Sequence, residues 1–284
     1  MAFRRTIAKE VACEGIALHA GTQVRMLLEP AVPGTGIIFR RLDLDGAEIP
    51  ALYDRVAETT LGTTLAEGKA TIAVVEHLMA AVAGAGIDDL VIQIDGAEPP
   101  VLDGDALSFL ELLDVAGAKD SDVERQAIKV LRRVEVSHKD ASAALIPAQF
   151  PQYAVEIEFA SAAIGHQAYA VDFTPAAFRA EIAPARTFGD IAQLDALKKM
   201  DRGHGASLHN TLAIDGDRVL NADIQRFPDE FVRHKILDAV GDLSLAGTPL
   251  IARFEGIKSG HALNNQLLRA LFADPANYRL ITAP

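Results

Sequence analysis

The sequence predicts an α+β protein built in two halves, and three features predict it. Each half reads as strands followed by helix, strand and helix. A polar, charged stretch at 117–126 (GAKDSDVERQ) separates them. The central helices of the halves open alike, Val75-Glu76-His77 against Val232-Arg233-His234, a hint of internal duplication resting on three residues. At roughly 100–200 residues per domain, 284 residues suit two domains, expected at 1–122 and 127–284.

Residues 4–50 read as short strands, with apolar runs at Val24–Leu28 and Ile37–Phe39 bounded by Gly and Pro. A Thr- and Gly-rich strand pair is expected within 59–72. A helix from about Val74 to Ala83 stops at Gly84 and Gly86. Leu90–Ile94 is a buried-type strand and Ala106–Ala116 a second helix. The pattern then restarts, with strands at 127–136, 142–146 and 153–159, a helix near 175–182 and strands near 211–220. A long helix is predicted over Asp229–Leu245. Pro228 is expected at its first position, and Asp229 and Glu230 complement the helix dipole. A strand at Leu250–Phe254 and a helix at Asn264–Phe272 close the chain.

Half of the residues are apolar, enough for a core, and with no Trp that core rests on Ala, Val, Leu and Ile. A net charge of −12 argues against nucleic acid as a partner, because phosphate contacts need a basic surface. The single cysteine, Cys13, excludes an internal disulfide and a Cys-rich metal site, in keeping with a reducing cytoplasm. It is expected to pack as a small apolar residue. Glu10 and Glu14 interrupt the N-terminal segment, so no signal peptide is expected. No uncharged apolar run approaches the ~18 residues of a membrane span, so the protein is expected to act from solution; separately, it is expected to be a monomer.

Three constellations carry chemistry. On the helix at 229–245, Val232, Ile236, Val240 and Leu243 form an apolar stripe, and His234, Asp238 and Asp242 follow one another at i, i+4 and i+8 on the other side. A His and an Asp four apart sit over one helical turn, the spacing of a chelating pair, although a solvated polar face has the same pattern. Glu76-His77 on the earlier helix offers a third ligand and a carboxylate free of the metal. Two His and one Asp suit a catalytic zinc with a place left for water; other divalent metals use such ligands too. In Lys258-Ser259-Gly260-His261-Ala262-Leu263-Asn264-Asn265 the imidazole sits on an exposed turn, where it serves as a general acid or oxyanion partner, or is incidental to a capping loop. Asp242 is available to orient it.

With their neighbours, these segments resemble the UDP-3-O-acyl-N-acetylglucosamine deacetylases (LpxC), zinc amidases of lipid A biosynthesis. The resemblance rests on Val75-Glu76-His77-Leu78, on Asp229 to Lys235 with Asp238, and on Ser259 to Asn264. It extends to Gly15-Ile16-Ala17-Leu18-His19-Ala20-Gly21, to 36–43 (GIIFRRLD), to Leu102-Asp103-Gly104 and to Ala185-Arg186-Thr187-Phe188-Gly189. It implies two tandem two-layer α/β sandwich domains with the active site in the cleft between them. It implies zinc on His77, His234 and Asp238, and Glu76 as general base. His261 would be the acid or electrostatic partner, Asp242 its orienting carboxylate, and Thr187 the hydroxyl at the oxyanion. Lys235 and Lys258 match basic positions near the substrate diphosphate, Phe159 the aromatic against uracil, and Phe188 a further substrate contact. His19 is expected to be structural, and His204 and His209 to be surface histidines.

The sequence departs from the family pattern at three places. Ala73-Val74-Val75 replaces the Ser/Thr residues that usually precede Val-Glu-His, removing a cap worth about 1 kcal/mol. Phe159-Ala160-Ser161-Ala162 replaces Phe-x-His-Pro. Charged residues at 198–204 stand where the family has an apolar loop lining its acyl tunnel. Burying charge beside a hydrocarbon is costly, so either the acyl chain differs or the loop turns its charges outward. Beside deacetylation of the UDP-linked acylated glucosamine, two alternatives stay open. One is an amidase for another N-acyl substrate; the other is a sugar-nucleotide-binding protein without catalysis.

Overall fold

The computed structural model describes residues 2–284. Its two halves repeat one topology. The first holds a five-stranded sheet in the order Val11–Ile16, Gln23–Pro30, Leu90–Ile94, Ile37–Arg41, Ala47–Pro50. Neighbours are antiparallel except Leu90–Ile94 and Ile37–Arg41, which run parallel. The second sheet runs Val134–His138, Ala141–Ile146, Arg253–Ile257, Gln152–Glu158, His166–Asp172. Again only the third and fourth strands in space are parallel. In both sheets the last strand in sequence sits at the centre. The similarity between Val75-Glu76-His77 and Val232-Arg233-His234 is therefore matched by a shared strand order.

The helices are α1 (Glu76–Ala85), α2 (Leu107–Ala116), α3 (Pro175–Ala177), α4 (Leu194–Lys199), α5 (Glu230–Ser244) and α6 (His261–Phe272). α1 and α5 each precede the central strand of their sheet, and α2 and α6 each follow it. The sheets bury one face: in Gln23–Pro30, Val24, Met26 and Leu28 are buried and Gln23 and Arg25 exposed, the period of two that a half-covered strand requires. α5 and α6 pack on the second sheet, α2 on Val11–Ile16, and α1 against both α2 and α5. α1 is thus buried on nearly every side.

The α1–α5 contact is close because of one glycine. A Cβ on Gly241 would lie 2.0 Å from the Glu76 carbonyl oxygen. Gly241→Ala therefore pushes α5 away from the first turn of α1. Overpacking of this kind costs about 1–3 kcal/mol, more than the helix-propensity gain of ~1 kcal/mol from replacing Gly. The expected result is a lower urea midpoint together with reduced turnover; an unchanged midpoint would show that the helices part freely.

α1 has no side-chain cap, as Ala73-Val74-Val75 predicts. Val74 adopts φ +56°, costly for a β-branched residue. The helix ends on Gly86 at φ +68°, and Gly84 lies inside it, where a Cβ would meet the Phe178 ring at 2.2 Å.

Several elements differ from expectation. The polar stretch at 117–126 is no loose connector: Ala118–Glu124 is a strand paired antiparallel with Phe3–Ile7, and Gln126–Val130 follows at once, between Leu250–Ile251 and Tyr278–Thr282. Most of its side chains are exposed, so no apolar alternation marks it. Asp229 is the residue before α5, so Pro228 stands outside the helix. α6 starts at His261 rather than Asn264. Past α3, residues 178–182 form a π-helical turn.

Candidate active site

A cavity of about 410 Å³ opens between the halves, and Glu76, His77, Thr187, Phe188, His234, Lys235, Asp238 and His261 all line it. A second cavity of about 310 Å³ lies beside Met79, Val82, Val240 and Leu243 and contains none of these groups. These candidate site residues gather in the first.

α1 presents His77 one residue inside its N-terminus, and α5 presents His234 and Asp238 one turn apart. Asp238 Oδ1 lies 3.4 Å from His234 Nε2 and 3.6 Å from His77 Nε2. Ligand atoms of all three fall within 4.8 Å of one another, and all three residues are buried. His234 Nδ1–H donates to the Ala185 carbonyl at 3.1 Å, which fixes the tautomer and leaves Nε2 a free lone pair toward Asp238. Burial, with His77 and Lys235 nearby, outweighs Asp238 and lowers the His234 pKa to about 3, so the ring is neutral. Lys235 Nζ holds Asp238 Oδ2 at 2.8 Å. Asp238 Oδ1 is buried with no hydrogen-bond partner. An orphaned carboxylate oxygen between two imidazole nitrogens fits a divalent cation, and two His with one Asp is a donor set of catalytic zinc. It is the only such cluster among the described residues.

Beside it lies a second constellation. Glu76 is 4% exposed, and burial raises its pKa against the opposing charges of His261 and His77. Its Oε2 accepts the Thr63 N–H at 3.0 Å. His261 Nδ1–H donates to Asp242 Oδ2 at 2.9 Å. The same oxygen accepts Asn264 Nδ2 at 2.9 Å, and Oδ1 accepts the Thr63 hydroxyl at 2.6 Å. Burial disfavours the imidazolium, but the Asp242 carboxylate, then Glu76 and Asp238, prevail and raise the His261 pKa to about 10. A carboxylate with raised proton affinity and a protonated imidazole thus face one cavity, a pairing suited to moving a proton in and another out.

Thr187 is set by its loop. Its N–H donates to the Gly104 carbonyl and its carbonyl accepts from Leu212. The fully buried Glu230 accepts the backbone N–H groups of Arg186, Arg226 and Phe227. Glu230 is therefore an internal clamp on two loops, beyond the helix-dipole role its position suggests. Gly104 is required here, since a Cβ would lie 1.9 Å from the Asn210 carbonyl.

Phe188 stands edge-on to His234, with ring centroids 6.0 Å apart, and Lys235 Nζ is 5.4 Å from its ring. Phe159, 40% exposed, meets Phe188 edge-on at 5.6 Å. Lys258 stays outside the cavity lining, paired with Glu158 and, at 3.0 Å, with Asp140. In α4, Leu194 and Leu197 line the cavity with Ile191, whereas Asp195, Lys198 and Lys199 are exposed and absent from its wall. The loop turns its charges outward. His204 pairs with Asp201 at 2.8 Å, and His209 is exposed. His19 is buried beside the cavity and donates from Nε2 to the Leu61 carbonyl. Cys13 is half-buried, and burial pushes its thiol up to about 11.

Sequence reasoning missed Thr63, Glu230 as a clamp, and Gly241. None lies in a periodic pattern: Glu230 and Gly241 act through backbone groups or close approach, and Thr63 acts through its N–H and its hydroxyl on partners distant in sequence.

Comparison with known proteins agrees with this geometry. The chain matches the family described as UDP-3-O-acyl N-acetylglycosamine deacetylase (LpxC) over residues 4–273. It is 44% identical over 283 residues to a UDP-3-O-acyl-N-acetylglucosamine deacetylase of Phenylobacterium zucineum (strain HLK1), covering 99% of this chain and 97% of that one. It is 42% identical over 281 residues to the protein of the same name from Myxococcus xanthus (strain DK1622), covering 99% and 90%. Two helices that carry the candidate site residues at the junction of two like-folded halves, and a match along nearly the whole length, lead to one conclusion: the chain belongs to the UDP-3-O-acyl-N-acetylglucosamine deacetylase family.

Proposed function

We propose that this chain hydrolyses the acetamido group of UDP-3-O-acyl-N-acetylglucosamine, giving acetate and UDP-3-O-acyl-glucosamine for lipid A biosynthesis. The observation that carries the reading is the unpartnered Asp238 Oδ1 between His234 and His77, with a buried Glu76 beside it that is not part of the cluster. His77, His234 and Asp238 would hold zinc, which supplies Lewis acidity and lowers the pKa of water. Glu76 takes the proton of the attacking water. Thr187 and the His261 imidazolium stabilise the oxygen that becomes negative. His261, or Glu76 carrying the proton taken from water, then gives a proton to the departing amine, and Asp242 holds the His261 ring in place.

Lys235 and Lys258 are assigned to the diphosphate, Lys235 after leaving Asp238 Oδ2 and Lys258 after exchanging its Asp140 and Glu158 partners. Phe159 is assigned to the uracil face and Phe188 to the sugar end. The acyl chain is assigned to the wall of Ile191, Leu194 and Leu197. Since the charges of α4 point outward, the argument for a different N-acyl substrate loses its main support. The same reading has residues 1–122 and 127–284 as two domains, and the chain acting as a cytoplasmic monomer without nucleic acid. No described helix is long and apolar enough to cross a membrane.

The test is acetate release from the substrate by zinc-loaded protein, with short and long acyl chains compared. Release with preference for the longer chain is expected. No release from either, with zinc bound, would remove the reading.

A further inference from the structure

Thr63 is 2% exposed and touches both halves of the proton machinery. Its backbone N–H donates to Glu76 Oε2 at 3.0 Å, and its hydroxyl donates to Asp242 Oδ1 at 2.6 Å. The residues before it are tightly held. Leu61 adopts φ +61° while its carbonyl accepts His19 Nε2, and a Cβ on Gly62, at φ +146°, would lie 2.9 Å from Glu76 Oε1. One short turn of the first half therefore fixes a carboxylate on α1 and another on α5.

We propose that Thr63 is a positioning residue that holds the Glu76 carboxylate and the Asp242–His261 pair in a common geometry. The inference rests on the deacetylase reading for its kinetic consequence but not for its structural one. Asp242 has three donors: Thr63 on Oδ1, and His261 and Asn264 on Oδ2. A carboxylate held at both oxygens cannot rotate, so the imidazole it orients cannot swing either. Removing the hydroxyl frees Oδ1 and lets the carboxylate turn, while the N–H to Glu76 remains. A buried hydrogen bond to a charged group is worth about 1.5–3 kcal/mol, roughly a 10- to 100-fold change in rate if lost in the transition state.

The experiment compares Thr63→Val and Thr63→Ser in zinc-loaded protein. Thr63→Val keeps the shape and loses the hydroxyl; kcat is expected to fall about 10- to 100-fold with KM within about twofold. Thr63→Ser restores the donor and is expected to recover most of the rate. Independently of any substrate, the His261 Nδ1–H proton resonance is expected to shift in Thr63→Val and not in Thr63→Ser. A kcat in Thr63→Val near that of the starting protein, or Thr63→Ser as slow as Thr63→Val, would overturn the proposal. An unchanged His261 resonance in Thr63→Val would do the same even if the substrate assignment failed, so the two failures are distinguishable. Should the valine variant not fold, Thr63→Ala provides the hydroxyl-free chain for the same measurements.

Discussion

Replacing Glu76 by Gln is expected to leave the protein folded and metal-bound while turnover falls about 10²- to 10⁴-fold, the usual contribution of a positioned general base. Glutamine keeps the length of the side chain and an oxygen for the Thr63 N–H, so the contact at 3.0 Å survives. What it loses is the ability to take a proton. Burial raises the proton affinity of the native carboxylate while His261 and His77 hold it in check, and an amide has no such balance to strike. Glu76 is not part of the His77, His234, Asp238 cluster, so metal content is expected to stay that of the starting protein. Stability is expected to hold or rise, since a buried charge becomes a neutral isostere. The measurements are kcat, metal per chain and the unfolding midpoint. Turnover within about tenfold of the starting protein would assign the proton transfer elsewhere.

Much of this site is legible in the amino-acid sequence. His234, Asp238 and Asp242 recur along one helix, and helical spacing survives in sequence because its geometry is local. Glu76-His77 and His261 open two other helices, and helix starts leave punctuation. What is not legible is what depends on chain paths meeting. Thr63 lies in a short turn between strands, and nothing nearby in sequence announces Glu76 or Asp242 as its partners. Gly241 reads as a helix weakness until α1 is seen against it. Glu230 sits where a helix-dipole acid belongs, and only the folded loops reveal that it collects three backbone donors. The strand at 118–124 is obscured by its exposure, because an edge strand open to solvent need not alternate. The outward charges of α4 likewise follow from how a six-residue helix is rotated on its seat, which leaves Leu194 and Leu197 inward.

Replacing His77 by Ala makes the opposite prediction to Glu76→Gln, since metal and turnover are expected to be lost together. Neither remaining ligand has a second free atom to fill the gap. Asp238 Oδ2 is engaged by Lys235 at 2.8 Å, and His234 Nδ1 is committed to the Ala185 carbonyl. Only Asp238 Oδ1 and His234 Nε2 would remain, and two ligands do not make a catalytic zinc site. Loss of a mere outer-shell partner costs roughly 10- to 100-fold in metal affinity, so removal of a ligand is expected to cost more. Folding supplies a second readout that needs no substrate. Metal that binds only the native state stabilises it by about 2.7 kcal/mol at a hundredfold excess over Kd. Added zinc should therefore raise the unfolding midpoint of the starting protein and of Glu76→Gln, and leave His77→Ala unmoved. The variant also loses an edge-to-face contact, since the His77 and His234 rings stand 4.9 Å apart. Its metal-free stability is expected to fall, so the missing response to zinc, and not the midpoint itself, is the diagnostic quantity. A His77→Ala chain that still gains stability from zinc would show that the cation sits on other donors, and the roles given to His234 and Asp238 would fall with it.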